Sequence, residues 1–468
     1  MCLQFIKFLL LPWDGMPDST RLGIPRLFFR ILDACASEDS ALSGEVVLSE
    51  IDRMERLFVM PLWRLIWLFI AILVISVTSG CEPTQPSQLP PASVSRTDSA
   101  GISIVTTPAG EALAPLGWTV DSAPSAVIGA GIAEGDQLYR VQGIRGLDDG
   151  RILIVDGGSR QLRFYDSQGR LTHRVGRRGE GPGEFQDPIL VPLIGVDSLL
   201  VWDRYLQRFQ YFSDDGDSNH TFLLNEPWPA GGRPPYGVVG NAMLLDEQES
   251  AWMVPASQQT QGPKDTDFTL LWYDPSSGSR VPIASQVVTH DFVLVRPDRP
   301  PVRDRIPFTV FPAAVVTIDG GFFTLGTSFE IKDFALNGEV RRIFRVDLPN
   351  RQVTDEVKEA WRELKLSAVD GGTGFYREFI SSMPIPDTLP AFETLLTDRL
   401  GYVWAQVYDW DPDAARRWVV FDDSGAALGT VQVPPGLQVE WVGSDAILGV
   451  WKDESDVEYV HRYRLTRK

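Results

Sequence analysis

A unit of two neighbouring strands recurs through most of this chain, and it constrains the fold more than any other feature. Its first half is a turn containing Gly or Asp, followed by a short apolar run. Asp149-Gly150 precedes Arg151 to Val155, and Gly195 to Asp197 precedes Ser198 to Trp202. Asp319 to Gly321 precedes Phe322 to Leu325, Asp398 to Gly401 precedes Tyr402 to Trp404, and Gly443 to Asp445 precedes Ala446 to Trp451. Runs that are apolar at nearly every position suit strands buried on both faces. The second half is an alternating strand that ends in a Gly-containing hairpin turn. It is found at Leu162 to Gly169, Tyr211 to Gly216, Trp272 to Gly278, Phe334 to Gly338 and Val420 to Gly425. The turn glycines lie 47, 62, 60 and 87 residues apart. The shortest interval is the period of a four-stranded propeller blade, and the longer ones are that period plus insertions.

The end of the chain adds a constraint. Leu437 to Val442, Ala446 to Trp451 and Glu458 to Leu465 make three strands, one short of a blade. An open edge is an aggregation hazard, so a strand from the other end must cover it. Gly101 to Thr107 or Trp118 to Ile128 can supply it. The expectation is an all-β, six-bladed β-propeller over residues 101–468, closed by an N-terminal strand. Seven blades result if the stretch around Gly278 holds two.

Thr354 begins an inserted helix, near 354–367. Asp355 and Glu356 suit its positive end, and Val357, Trp361 and Leu364 form one apolar stripe directed at a propeller face.

Ahead of the propeller, Leu65 to Val77 is an uncharged run of 13 residues, too short for a comfortable membrane span and suited to a signal peptide. Thr78-Ser79-Gly80-Cys81 follows, and Arg56 and Arg64 precede it. This segment resembles a bacterial lipoprotein signal, with Thr78 where the pattern usually has an aliphatic residue. The resemblance implies a signal peptide over 54–80 removed by cleavage before Cys81, lipidation of Cys81, and attachment to a cell-envelope membrane. Residues 81–100, rich in Pro, Ser, Gln and Thr, read as a flexible tether. Residues 1–53 form an upstream extension that is absent if translation starts at Met54 or Met60.

The body has no cysteine, since Cys2, Cys35 and Cys81 all precede it, so it has no disulfide, thiol nucleophile or Cys zinc ligand. The net charge is −19, and removing the first eighty residues leaves 36 Lys+Arg against 53 Asp+Glu, or −17. That balance excludes a nucleic-acid partner, which selects basic surfaces.

Gly176, Gly179, Gly181, Gly183, Phe185 and Pro188 form a Gly-rich signature that resembles the NHL repeat, and Val201 to Asp203 with Arg208-Phe209 fits its later portion. As a whole the chain resembles the six-bladed β-propeller lipoproteins of bacteria. The motif reads as a blade connection, with Phe185 plugging an interblade core and Pro188 starting the next inner strand. No helix follows it, as a phosphate-binding loop would require.

Some propellers of this kind are lyases with zinc-bound histidines, and others are calcium-dependent lactonases. The resemblance therefore implies Zn or Ca in the central channel as an alternative to a plain binding or scaffold module. His173, His220, His290 and His461 have no metal-ligand spacing. Asp156, Asp203, Asp319 and Glu330 lie near strand ends, where capping of turns is their ordinary role. No GxSxG nucleophile motif occurs. Arg296, Arg299, Arg303 and Arg305, among prolines, form a candidate anion-binding loop balanced by Asp298 and Asp304. The expected partner is a protein or small molecule at a propeller face, with membrane attachment through the lipid.

Overall fold

The computed structural model describes residues 94–131, 136–193, 198–224, 228, 234–239, 242–248, 260–309, 313–317, 320–367, 374–411 and 414–468. Cys81, the apolar run before it and the upstream extension lie outside the described residues. The described chain opens with β1 (Ser95–Ser99), β2 (Ile102–Pro108), a short helix α1 (Ala109–Ala112), β3 (Thr119–Val120) and β4 (Ala126–Ile128).

Six sheets follow, so the chain is a six-bladed β-propeller. Blade 1 contains β5 (Val141–Gly146), β6 (Ile152–Asp156), β7 (Gln161–Tyr165) and β8 (Leu171–Val175). Blade 2 contains β9 (Pro188–Val191), β10 (Ser198–Asp203), β11 (Arg208–Ser213) and β12 (Ser218–Leu223). Blade 3 has β13 (Gly237–Val239), β14 (Ala242–Gln248), β15 (Gly262–Asp274), β16 (Ser279–Arg296) and an extra β17 (Arg299–Arg305). Blade 4 has β18 (Ala314–Val316), β19 (Phe322–Leu325), β20 (Glu330–Phe334) and β21 (Val340–Asp347). Helices α2 (Asp355–Ser367) and α3 (Gly374–Ser382) separate it from blade 5, which is β22 (Phe392–Thr397), β23 (Val403–Val407), β24 (Arg417–Phe421) and β25 (Ala427–Gln432). Blade 6 has β26 (Gln438–Val442), β27 (Ala446–Lys452) and β28 (Glu458–Thr466).

The apolar runs are the second strands, and their alternate residues serve two different neighbours. On β6, Ile152 and Ile154 pack toward blade 6, whereas Leu153 and Val155 pack toward blade 2. On β10, Leu199 and Val201 face blade 1, and Leu200 and Trp202 face blade 3. An interblade core results at each of the six junctions, including that of blades 6 and 1. The expected turn glycines, Gly169, Gly216, Gly278, Gly338 and Gly425, all have φ between 70° and 87°, which explains their identity. Gly278 turns β15 into β16 within a single blade, so the seven-blade alternative fails.

Of the two expected closing segments, the later one completes blade 6. Ala126–Ile128 pairs antiparallel with Val460–Arg462, and Val120 and Thr119 pair with Leu465 and Thr466. Ser103–Pro108 instead adds in parallel to the outer strand of blade 4, with β1 outside it. Between these, Leu116 and Ala114 exchange backbone hydrogen bonds with Thr430 of blade 5. The N-terminal segment is therefore a belt along the outer edges of blades 4, 5 and 6. The expected tether ends earlier than residue 100, because Ser95–Ser99 is a strand held by β2. The far end of the chain locks the belt: Arg467 lies 4.5 Å above the Trp118 ring and donates to the buried Asp398 at 2.8 Å.

The helical insertion differs from expectation in two ways. A second helix, α3, follows the expected one. Leu364 is 52% exposed and lies outside the buried stripe, which runs through Val357, Trp361 and Leu366. The helices share a core with Phe292, Leu294 and Val302 on the extended β16 and β17 of blade 3, with Ile306 and Phe308, and with Tyr408 and Trp410 just after β23 of blade 5. The two long insertions thus form one module. Thr354 does cap α2, its Oγ1 accepting from Val357 N.

Closure predicts unequal sensitivity along the belt. Ile128 is 1% exposed in the core between blades 6 and 1. Ile128→Asp should cost about 4 kcal/mol through an unpaired buried carboxylate. Thr97→Ala, on the exposed outer strand, should cost less than about 0.5 kcal/mol. Denaturant unfolding followed by tryptophan fluorescence measures both, and equal effects would contradict the closure.

Candidate functional site: the central channel and its two ends

The inner strands β5, β9, β13, β18, β22 and β26 run the same way around the channel. Each starts at the end carrying the blade connections and the helical module, called here the entry end. They finish at the exit end, where a cavity of about 600 Å³ opens. Leu190, Val191, Val316, Leu396 and Val442 give it apolar walls from four blades, and Arg145, Arg341, Arg342 and Arg399 line it as well. This combination of apolar wall and a few charged groups is the usual make-up of a small-molecule pocket. The arginines are held in place. Arg341 and Arg342 both reach the fully buried Asp333, at 2.5 and 2.7 Å. Arg399 pairs with Asp148, and Arg145 donates to Ser198 O at 3.0 Å.

Glu440 is the unusual group of the cavity wall. It is the extra residue of a bulge on β26, between Val439 and Trp441. Burial pushes its carboxyl up to about 7, against the weaker opposing effect of a 2.7 Å hydrogen bond from Gln438 Nε2. A carboxyl titrating near neutrality in a concave site is a functional-site signature. Glu393, on the inner strand of blade 5, is raised by burial too and accepts from Gln406 Nε2 at 2.6 Å. Beside it, burial and the Glu393 charge push the Tyr408 hydroxyl up to about 12.

The residues singled out in the sequence fall elsewhere. His173 and His220 lie on outer strands. His173 is stacked on Phe164 at 4.2 Å. His290 is on the projecting part of β16, 2.7 Å from Asp265. His461 is on β28, stacked on Trp451, and burial lowers its pKa. Asp156 and Asp203 are fully buried turn clamps. Asp156 receives Tyr139 N, Gly158 N and the Ser159 hydroxyl, and pairs with Arg163 at 2.5 Å. Asp203 receives the backbone N–H groups of Gln186, Asp187, Tyr205 and Leu206. Glu330 pairs with Arg345, and Asp319 lies outside the described residues. Among the described residues no three His, Cys, Asp or Glu side chains converge as metal ligands. Among the described residues the donors therefore do not assemble the Zn or Ca centre that the family resemblance implies.

The NHL-like motif crosses from blade 1 to blade 2 at the entry end. Phe185 is fully buried between these blades, 5.9 Å from Phe212, and Pro188 starts β9. A Cβ on Gly176 would come within 2.6 Å of the Phe185 ring. Gly181 N donates to Glu184 Oε2, and Gly183 N to Gln210 Oε1, each at 2.8 Å. Gly179 N donates to Phe185 O, closing the loop. Arg208, 5% exposed, donates to the carbonyls of Glu180, Gly181 and Glu184. Its organising role was visible in sequence only as part of the repeat.

The four arginines of the candidate anion loop sit on β16 and β17, or just beside them, in the helical module. Arg296 pairs with Glu378 of α3. Arg299 covers the Phe375 ring at 4.4 Å and pairs with Asp298, and Arg303 pairs with Asp291 at 2.5 Å. Arg305 is half-buried, and this desolvation lowers its pKa. Carboxylates and an aromatic ring of the module thus hold three of these guanidinium groups.

No protein-family model matches the chain, and no curated protein matches it. Solved structures resemble it in fold. One is a member of the DUF4221 family from Bacteroides vulgatus, at 9% identity, covering 75% of this chain and 99% of that one with a TM-score of 0.44. Another is a virginiamycin B lyase from Staphylococcus aureus, at 10% identity, 75% and 100% coverage and a TM-score of 0.34. A gluconolactonase from Xanthomonas campestris gives 11% identity, 74% and 97% coverage and 0.35. At these identities and scores the neighbours say nothing of what this chain binds.

Glu440 makes stability depend on pH. Its folded pKa of about 7 lies above the ordinary value of 4.5, so the folded state resists ionisation. Stability is full below about pH 4.5 and falls as the pH rises through 7. Glu440→Gln should therefore be more stable than the parent at pH 8, by about 2 kcal/mol, with the gap closing toward pH 5. Thermal unfolding across this range tests it, and a gap that does not vary with pH would contradict the assignment.

Proposed function

We propose that this chain is an envelope-associated binding propeller, whose exit-end cavity takes a small amphiphilic molecule with an apolar body and an anionic group. The cavity itself carries this reading. About 600 Å³ is enough for a drug-sized ligand, with aliphatic walls for its body and four guanidinium groups around it.

Anilinonaphthalene sulfonate, a fluorescent apolar anion, is a suitable probe. It should bind the parent protein, and Leu190→Trp should abolish the binding by filling the cavity. Ionised Glu440 repels the sulfonate, so affinity should fall about fivefold between pH 6 and 8, and Glu440→Gln should flatten that dependence. Binding unaffected by Leu190→Trp would overturn the reading.

Export and anchoring rest on the Leu65–Val77 run and on Cys81, the cysteine that closes it. Cys81→Ala should release the protein from the membrane fraction into the soluble one. Membrane retention unchanged by this substitution rules out the lipid anchor.

A further inference from the structure

The two most exposed large apolar side chains among the described residues are Tyr205, at 79%, and Tyr139, at 68%. They belong to blades 2 and 1, yet a single carboxylate ties their neighbours together. Asp187 pairs through Oδ1 with Arg140 at 2.7 Å and through Oδ2 with Arg204 at 2.6 Å. Tyr139 and Tyr205 therefore flank an Arg–Asp–Arg bridge across the blade 1–blade 2 junction at the entry end.

The pair is held from beneath by equivalent residues of the two blades. Tyr139 N donates to Asp156 Oδ1 and Tyr205 N to Asp203 Oδ1, both at 3.1 Å. Asp156 and Asp203 each end the second strand of their blade and are at most 1% exposed. Arg140 has φ of 59°, a left-handed conformation that an L residue adopts at a cost, and Gly157 N holds its carbonyl at 2.9 Å. The Tyr139 ring lies over Gly158, where an added Cβ would come within 2.6 Å of it. Exposed aromatics on a backbone this constrained lose little entropy on binding.

The charge of this rim opposes that of the chain. Arg140 and Arg204 are 41% and 48% exposed, whereas Asp187 between them is 13% exposed and the Asp156 and Asp203 carboxylates beneath are buried, so the accessible charge here is positive on a protein of net charge −19. Arg160 spends its guanidinium on the Gln186 and Gly158 carbonyls. The Debye length of about 8 Å at physiological salt screens the distant acidic surface and leaves this local excess to act. Tyr and Arg are the residues that most often dominate protein–protein binding, and guanidinium groups prefer carboxylates.

We propose that the Tyr139–Arg140–Asp187–Arg204–Tyr205 rim is a docking site for an acidic segment of a partner protein. It lies at the opposite end of the channel from the cavity and stands independently of the ligand assigned there.

The probe is a short fluorescein-labelled peptide of alternating glutamate and leucine, read by fluorescence anisotropy with the full propeller. The parent should bind it, more weakly at high salt. The Tyr139→Ala/Tyr205→Ala double variant and Arg204→Glu should each weaken binding by about tenfold or more. Both alter exposed side chains, and an unchanged thermal midpoint and near-ultraviolet dichroism show that each variant is folded. Leu190→Trp should leave peptide binding intact, which separates this site from the cavity. Binding unaffected by the rim variants overturns the proposal, as does no binding by the parent. Tyrosine-dependent binding of alginate in place of the peptide would assign the rim to an anionic glycan and overturn it equally.

Discussion

Closure of blade 6 by the N-terminal belt is the interaction on which the rest of the molecule depends. Blades 1 to 5 each supply their own four strands, but β26–β28 leave an edge open, and the core between blades 6 and 1 lacks Ile128 until β4 arrives. The same belt covers the outer edges of blades 4 and 5 on its way. Its path is fixed at the far end of the chain by Arg467, which sits on Trp118 and pairs with Asp398, fully buried beneath it. The first and last described segments are therefore one structural element, although more than three hundred residues separate them.

A closed ring holds six inner strands in fixed relation, and both candidate surfaces follow from that. At the exit end the strands converge around an apolar cavity, with Glu440 displaced into its wall by a bulge. At the entry end the buried aspartates that terminate β6 and β10 pin the neighbouring turns and inner-strand starts. Those aspartates appeared in the sequence as potential calcium ligands. Asp203 accepts four backbone N–H groups, so its oxygens are committed to the fold. Asp156 and Asp203 also hold the backbone N–H groups of the exposed Tyr139 and Tyr205.

Much of the ring was legible because its signals are local. A glycine with positive φ marks each of the five outer hairpins, and a doubly buried second strand must be apolar along its length. Phe185 and Pro188 each act within their own connection, one in the core between blades 1 and 2 and one at the start of β9. Long-range choices were not legible. Gly101–Thr107 and Trp118–Ile128 look equally like strands, and only the outer edges available to them decide that one joins blade 4 and the other blade 6. The helix α3 carries a readable stripe of Phe375, Phe379 and Ile380, which the nearby glycines obscured. The site was the least legible part. Glu440 is one of many acidic residues in the chain, and nothing local separates it until the bulge and the channel wall are known. Tyr139 and Tyr205 resemble ordinary core aromatics until their exposure is measured.

Native-state hydrogen exchange of the full chain tests the central claim most directly. If the belt closes the ring, the amides of residues 126–128 exchange with the same opening free energy as those of β27 and β28, through global unfolding. If those amides exchange by local fraying while the blade cores stay protected, the ring stands without the belt and the account is wrong.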